Sequence, residues 1–193
     1  IKRTLGVFAA VAALTGCREV EAPPPTKAWK MTEVRSDPNT ELDFACTATG
    51  IELCFDALDN NCNGVIDEGC GLHTGILQFT IAWPQADVDV DLEVRGPDNS
   101  LARTGRTNSA GLFKDRDCPG RSNRCYGQNV ENVYLSVDKP ERGLYQVVVR
   151  LVRLESAKPP IKVQLSARVG QRQFRSRVEL TKAEDEQRFE FEL

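Results

Sequence analysis

Between Asp59 and Cys70 the chain reads D-N-N-C-N-G-V-I-D-E-G-C. Oxygen-bearing side chains stand at 59, 61 and 63, a glycine follows at 64, and carboxylates come at 67 and 68. This is the spacing by which one short segment surrounds a hard cation. Asp59 takes the first position, Asn61 the third and Asn63 the fifth. Gly64 turns the chain, Val65 offers its carbonyl at the seventh position, and Asp67 takes the ninth. The twelfth position is Cys70 rather than a bidentate glutamate, so Glu68 or the upstream Asp56 has to complete the shell. Calcium is the expected ion. With two neutral asparagines in the set, the affinity expected is modest, that of a structural clip rather than a sensor. Ile66 is expected to point away into a small core.

Cysteines thread the same region at an even spacing: Cys46, Cys54, Cys62 and Cys70. A zinc site built from them is disfavoured, because structural zinc prefers cysteines two to four residues apart. With Cys118 and Cys125 they make an even set of six, which suits three bridges in an oxidising compartment. Six cysteines allow fifteen pairings. Residues 46–72 thus read as a disulfide-rich metal-binding module. It is too small for a core of its own and depends on bridges and metal.

The N-terminus points to export. Lys2 and Arg3 precede an apolar run from Leu5 to Leu14, too short for a permanent bilayer span. Leu14-Thr15-Gly16-Cys17 at its end resembles the lipobox of bacterial lipoproteins. The resemblance implies a signal peptide over 1–16, cleavage before Cys17, and lipid on Cys17 that holds the chain to a membrane. Arg18 in the next place implies sorting to the outer membrane. Residues 17–45 read as a flexible tether, stiffened by Pro23-Pro24-Pro25. Trp29 and Met31 within it could dock on the folded part.

From residue 73 onward the pattern is that of strands. Leu77, Phe79, Ile81 and Trp83 alternate with Gln78, Thr80 and Ala82. Val88, Val90, Leu92 and Val94 alternate with Asp87, Asp89, Asp91 and Glu93. Period-two alternation marks half-buried strands. Further runs lie near 130–137, 144–154, 160–169, 172–180 and 187–193, punctuated by Gly143, Pro159-Pro160 and Gly170. The expectation is an all-β fold: an antiparallel β-sandwich, jelly-roll-like, over 73–193, preceded by the calcium-loop module.

The carboxylates of Asp87, Asp89 and Asp91 share one face of their strand. They form either a solvated outer face or a second calcium site. In the second case Asp89 and Asp91 are joined by Asp115, Asp117, Glu131 and Asn132 from the 115–132 loop.

Two resemblances bear on these readings. Glu52-Leu53-Cys54, Asp59-Asn60-Asn61-Cys62-Asn63-Gly64 and Asp67-Glu68-Gly69 resemble the metal-binding motif of MopE-type bacterial surface proteins. That resemblance implies a Cys54–Cys62 bridge, leaving Cys46–Cys70 and Cys118–Cys125 as the simplest remaining pairs. Asp89-Val90-Asp91-Leu92-Glu93-Val94 resembles a strand of YfaP-like and pre-peptidase C-terminal-type β-sandwiches. Val130-Glu131-Asn132-Val133-Tyr134 and Gly143-Leu144-Tyr145-Gln146-Val147 fit the same pattern. It implies a calcium-associated sandwich without assigned catalysis, the second ion falling to Asp89, Asp91, Asp117 and Glu131.

Several function classes lose support. A net charge of −3 leaves no basic footprint for nucleic acid. His73 is the single histidine, no G-x-S-x-G occurs, and no spacing singles out a pair of catalytic acids. Arg168, Arg172, Arg175 and Arg177 surround the Gly170 turn, either as a solvated hairpin tip or as a contact for anionic lipid or polysaccharide. The reading that results is a non-enzymatic, calcium-stabilised envelope lipoprotein that binds a protein partner within an assembly. The metal module acts as a collar holding the sandwich off the membrane. A carbohydrate-binding accessory module is the alternative, and a carboxylate-based hydrolase comes third.

Overall fold

A computed structural model of the chain describes residue 46, residues 48–119, residue 125 and residues 127–193 in full, and residues 33–36 by backbone alone. Cys17, Trp29 and Met31 lie outside the described residues.

Among the described residues nine strands form two antiparallel sheets. They are β1 (Glu33–Ser36), β2 (Leu77–Ala82), β3 (Val88–Arg95), β4 (Leu112–Asp117), β5 (Val130–Leu135), β6 (Leu144–Leu154), β7 (Ile161–Val169), β8 (Arg172–Leu180) and β9 (Glu186–Glu192). The four-stranded sheet runs β1-β9-β6-β3 and the five-stranded sheet β4-β5-β2-β7-β8. Alternation decides which side chains face inward. In β3 the valines and Leu92 are buried while Asp89, Asp91 and Glu93 are half-exposed, as the period of two requires. Phe79, Phe174 and Phe191 meet in the middle, with ring centroids 5.5 Å apart from Phe191 to each of the others. Val147, Val149, Leu151 and Leu165 fill the rest of a core shared by both sheets.

Two strands depart from the expected set. β1 lies inside the stretch read as a tether and pairs with β9, Val34 opposite Phe191. β4 falls in a segment read as a loop. Its sequence, Leu112-Phe113-Lys114-Asp115-Arg116-Asp117, carries no alternation because its outward residues make ionic contacts at the sheet margin. A register shift between Lys114 and Arg116 puts Asp115 at an irregularity of the β4–β5 ladder. Such a bulge redirects a side chain.

The free edge of β3 is closed by groups from elsewhere. The Trp83 indole donates to Val88 O at 3.1 Å, Leu92 N–H donates to Glu131 Oε2 at 2.6 Å, and Ala102 N–H donates to Val94 O at 2.8 Å. Edge strands with unpaired amides invite pairing with other chains, and these contacts remove part of that template.

β2 is buried on both faces. Its inner face packs into the core. Its outer face, Gln78 and Thr80, is covered by the cysteine module, which lies against the five-stranded sheet. Gln78 Nε2 donates to Ile66 O at 3.1 Å, and Ser166 Oγ donates to Ala57 O. Ala57 and Ile66 are fully buried at this contact. The module is thus a third layer on the sheet rather than a separate unit beside it. The small core expected around Ile66 is borrowed from the sandwich. Gly75 joins the two parts, and a Cβ there would stand 2.2 Å from Leu135 O.

Candidate metal centre

The module is an irregular coil tied by two bridges, Cys46–Cys62 and Cys54–Cys70, and the third bridge is Cys118–Cys125. The pairing implied by resemblance, Cys54–Cys62 with Cys46–Cys70, is not the one formed. The two bridges span equal separations of 16 residues and interleave along the chain. With all four module cysteines in bridges, none is left as a thiolate for zinc.

Glu52, Asp59 and Glu68 converge, each offering a carboxylate oxygen within 4.8 Å of the others. Their positions follow from local hydrogen bonds. Asp59 Oδ1 accepts from Asn63 N–H at 3.1 Å and its Oδ2 from Gly64 N–H at 2.9 Å, so the first residue of the loop holds the turn that follows it. Gly64 makes that turn at φ +96°. Glu52 Oε2 accepts from Asn60 N–H and Oε1 from Asp67 N–H, both at 3.0 Å. Burial pushes the Glu52 carboxyl above its ordinary range, and the neighbouring Glu68 charge adds to the effect. Gln173, from β8 and outside the loop altogether, donates through Nε2 to Asp59 Oδ2.

Other expected ligands take different roles. Asp67 is fully buried and turned away from the group. Its Oδ1 accepts from Phe55 N–H at 2.6 Å and Asp56 N–H at 3.3 Å, and its Oδ2 from Ala57 N–H at 3.1 Å. It holds a turn in which Phe55 and Ala57 have φ of 68° and 55°, so it is a scaffold rather than a ligand. Burial pushes its carboxyl up to about 7, against the pull of those N–H donors. Asp56 accepts from Leu58 N–H at 2.9 Å and Asn60 Nδ2 at 3.3 Å and is likewise local. Asn61 and Asn63 present their amide nitrogens, not their oxygens, to Glu68 Oε1. Their oxygens accept from Asn63 N–H at 3.0 Å and Val65 N–H at 2.9 Å. At Val65 it is thus the amide that makes the contact.

Glu52 was not among the expected ligands. The signal for it lay in the E-x-C step two residues before Cys54. Gln173 gave no signal, because its contact arises only when β8 folds beside the module.

A second group, Asp91, Asp117 and Glu131, also brings carboxylate oxygens within 4.8 Å of one another. Asp89, expected to join it, turns to Arg153 at 3.8 Å. Lys114 stands among these acids, its Nζ 2.7 Å from Asp117 and 2.8 Å from Glu131. Burial pulls the Lys114 ammonium down, but Glu131 and Asp117 carry it well above the ordinary lysine range. Burial raises Glu131 strongly, with Lys114 opposing. Burial likewise raises Asp91, opposed by Lys114. The lysine thus supplies the positive charge at this place, and Glu131 is spent on the β3 edge. A divalent ion would have to displace both functions, so the residues fit an internal ion pair better than a calcium shell.

His73 is exposed, and its Nδ1 lies 2.9 Å from Asp115 Oδ2. Its ring stacks on Tyr134 with centroids 5.3 Å apart. Asn132 Nδ2 ties the pair down by donating to Asp115 Oδ1 at 2.6 Å and to His73 O at 2.8 Å. Asp115 and Asn132, expected near a second ion, instead fix the junction between module and sandwich. No family model matches this chain, and neither a curated protein nor a solved structure matches it.

Proposed function

We propose that the chain is a non-enzymatic binding or assembly subunit of a cell envelope, stabilised by calcium at Glu52, Asp59 and Glu68. One observation carries the metal reading. Glu68 Oε2 is buried and has no hydrogen-bond partner. An ionised carboxylate oxygen left so beside two other acids is costly, and a cation removes that cost. The donors are all oxygen, which suits a hard ion such as calcium rather than zinc or copper.

The reading as a clip rests on rigidity. Two bridges, the Asp67 hydrogen bonds and the docking to β2, β7 and β8 hold the loop before any ion arrives. The secretory run and the Cys17 lipobox support an exported chain held to the outer membrane by lipid, where a protein partner would meet the sandwich. Palmitate labelling of the full precursor that persists in a Cys17→Ser variant would remove the anchor from this account.

Calorimetric titration of calcium into the folded chain tests the metal. We expect one site, lost in Glu68→Gln, a variant that keeps the shape and removes the charge. Equal heats from wild type and variant, or none from wild type, would overturn the assignment.

A further inference from the structure

Glu52 turns into the metal group while both of its neighbours in sequence stand in solvent. Ile51 is 83% exposed and Leu53 54%, and among the described residues the only other large apolar side chain so exposed is Val137. Asn60, itself buried, holds this segment at three places. Its N–H donates to Glu52 Oε2 at 3.0 Å, its Oδ1 accepts from Leu53 N–H at 2.8 Å, and its carbonyl accepts from Thr49 N–H at 2.8 Å. The apolar pair is therefore presented by a fixed turn, not by a loose end.

Exposed apolar side chains scattered singly are ordinary. This pair differs because it brackets a metal ligand in an acidic surround. From Glu52 to Glu68 the chain carries Asp56, Asp59 and Asp67 as well, and no Lys or Arg. Such a surface repels anionic groups until a cation neutralises it. Calcium takes six to eight oxygens. Both oxygens of Glu52 and both of Asp59 already accept from backbone N–H groups. The three carboxylates therefore leave part of the shell open to oxygens from outside the group.

We propose that this face docks on a lipid bilayer when calcium is bound, with Ile51 and Leu53 entering the interface and headgroup phosphate oxygens completing the shell. The inference rests on the calcium reading above and names what that site meets. Area decides against a protein partner. A stable protein interface buries about 800 Å² on each side, far more than two side chains supply. A bilayer needs no matched shape: it takes up protruding apolar groups one by one, and electrostatic attraction to its headgroups adds to their burial. The ion makes that attraction possible at an otherwise acidic turn. The anchor proposed at Cys17 would keep the bilayer within reach.

The test is indole fluorescence of the full chain carrying Ile51→Trp, on vesicles of phosphatidylcholine and phosphatidylglycerol with brominated acyl chains. Bromine quenches an indole at contact, so the readout follows position 51 and not the lipid anchor. Ile51 is exposed, so the exchange disturbs little of the fold. In calcium, position 51 enters the boundary of headgroups and acyl chains, and the emission in excess of wild type should fall roughly twofold. EGTA should restore it, and adding Glu68→Gln should abolish the quenching. Calorimetric titration of calcium into the same variant without vesicles distinguishes the two ways of failing. Heats without quenching would overturn the bilayer contact and leave the metal site standing. No heats would remove the metal site and this inference with it. Quenching that persists in EGTA would overturn the proposal. So would a calcium-dependent dimer, seen by sedimentation without vesicles and abolished by Ile51→Ser, because the pair would then face a second copy of the chain.

Discussion

Asp67 shows how one carboxylate can be read correctly as important and wrongly as to role. Its place in the spacing suggested a ligand. The fold instead buries it and gives it the N–H groups of Phe55, Asp56 and Ala57. Nothing in the local sequence separates these roles, because the choice depends on which way the 55–57 turn closes. Burial lifts the Asp67 carboxyl from 3.8 to about 7, so the folded chain keeps a proton that the unfolded chain has released. Its contribution to stability is therefore largest in acid and falls as pH rises from about 4 to 7, by on the order of 4 kcal/mol at most. Melts in chelator should show the midpoint dropping between about pH 5 and pH 7.5, and a flat or rising midpoint would contradict this. Gln173 sits behind Asp59 as an orienting group. Outer partners of metal ligands are worth roughly 10–100-fold in affinity. Gln173→Ala should thus weaken calcium binding about tenfold in titration while the far-ultraviolet spectrum stays unchanged. Ser166→Ala removes a docking contact that touches no ligand, so it should leave affinity nearly alone.

At the scale of elements, alternation made β3 and β6 through β9 legible, because each leaves a period of two behind, and β2 alternates apolar with polar residues although the module buries its second face as well. β1 and β4 left no such trace. β1 is four residues held by its ladder to β9, and Lys114 of β4 pairs both with Asp117 of its own strand and with Glu131 of β5. The bridges were legible in number but not in partner. Interleaved pairing of Cys46 with Cys62 and Cys54 with Cys70 ties both ends of the module to the loop. Replacing Cys54 and Cys70 together by serine should cost about 2–4 kcal/mol in denaturant unfolding. Gly75 lies where the module enters the sheet. An added methyl would meet the Leu135 carbonyl, backbone that cannot swing aside, so Gly75→Ala should lower the melting midpoint by several degrees.

At the scale of the molecule, the described residues form three layers: four strands, five strands, and a disulfide-tied module pressed on the second sheet. Docking gives the loop rigidity that its own few apolar residues could not. It also joins the metal group to the sandwich, since Asp59 accepts from Gln173 of β8 while facing Glu52 and Glu68. A cation that binds only this arrangement stabilises the entire fold. At a hundred times its dissociation constant it adds about 2.7 kcal/mol, or roughly 5–10 °C for a chain of this size. Differential scanning calorimetry of the folded chain in calcium and in EGTA tests this most directly. The account predicts one transition that moves up by that amount in calcium. An unmoved midpoint, or a separate low transition from the module alone, would contradict it.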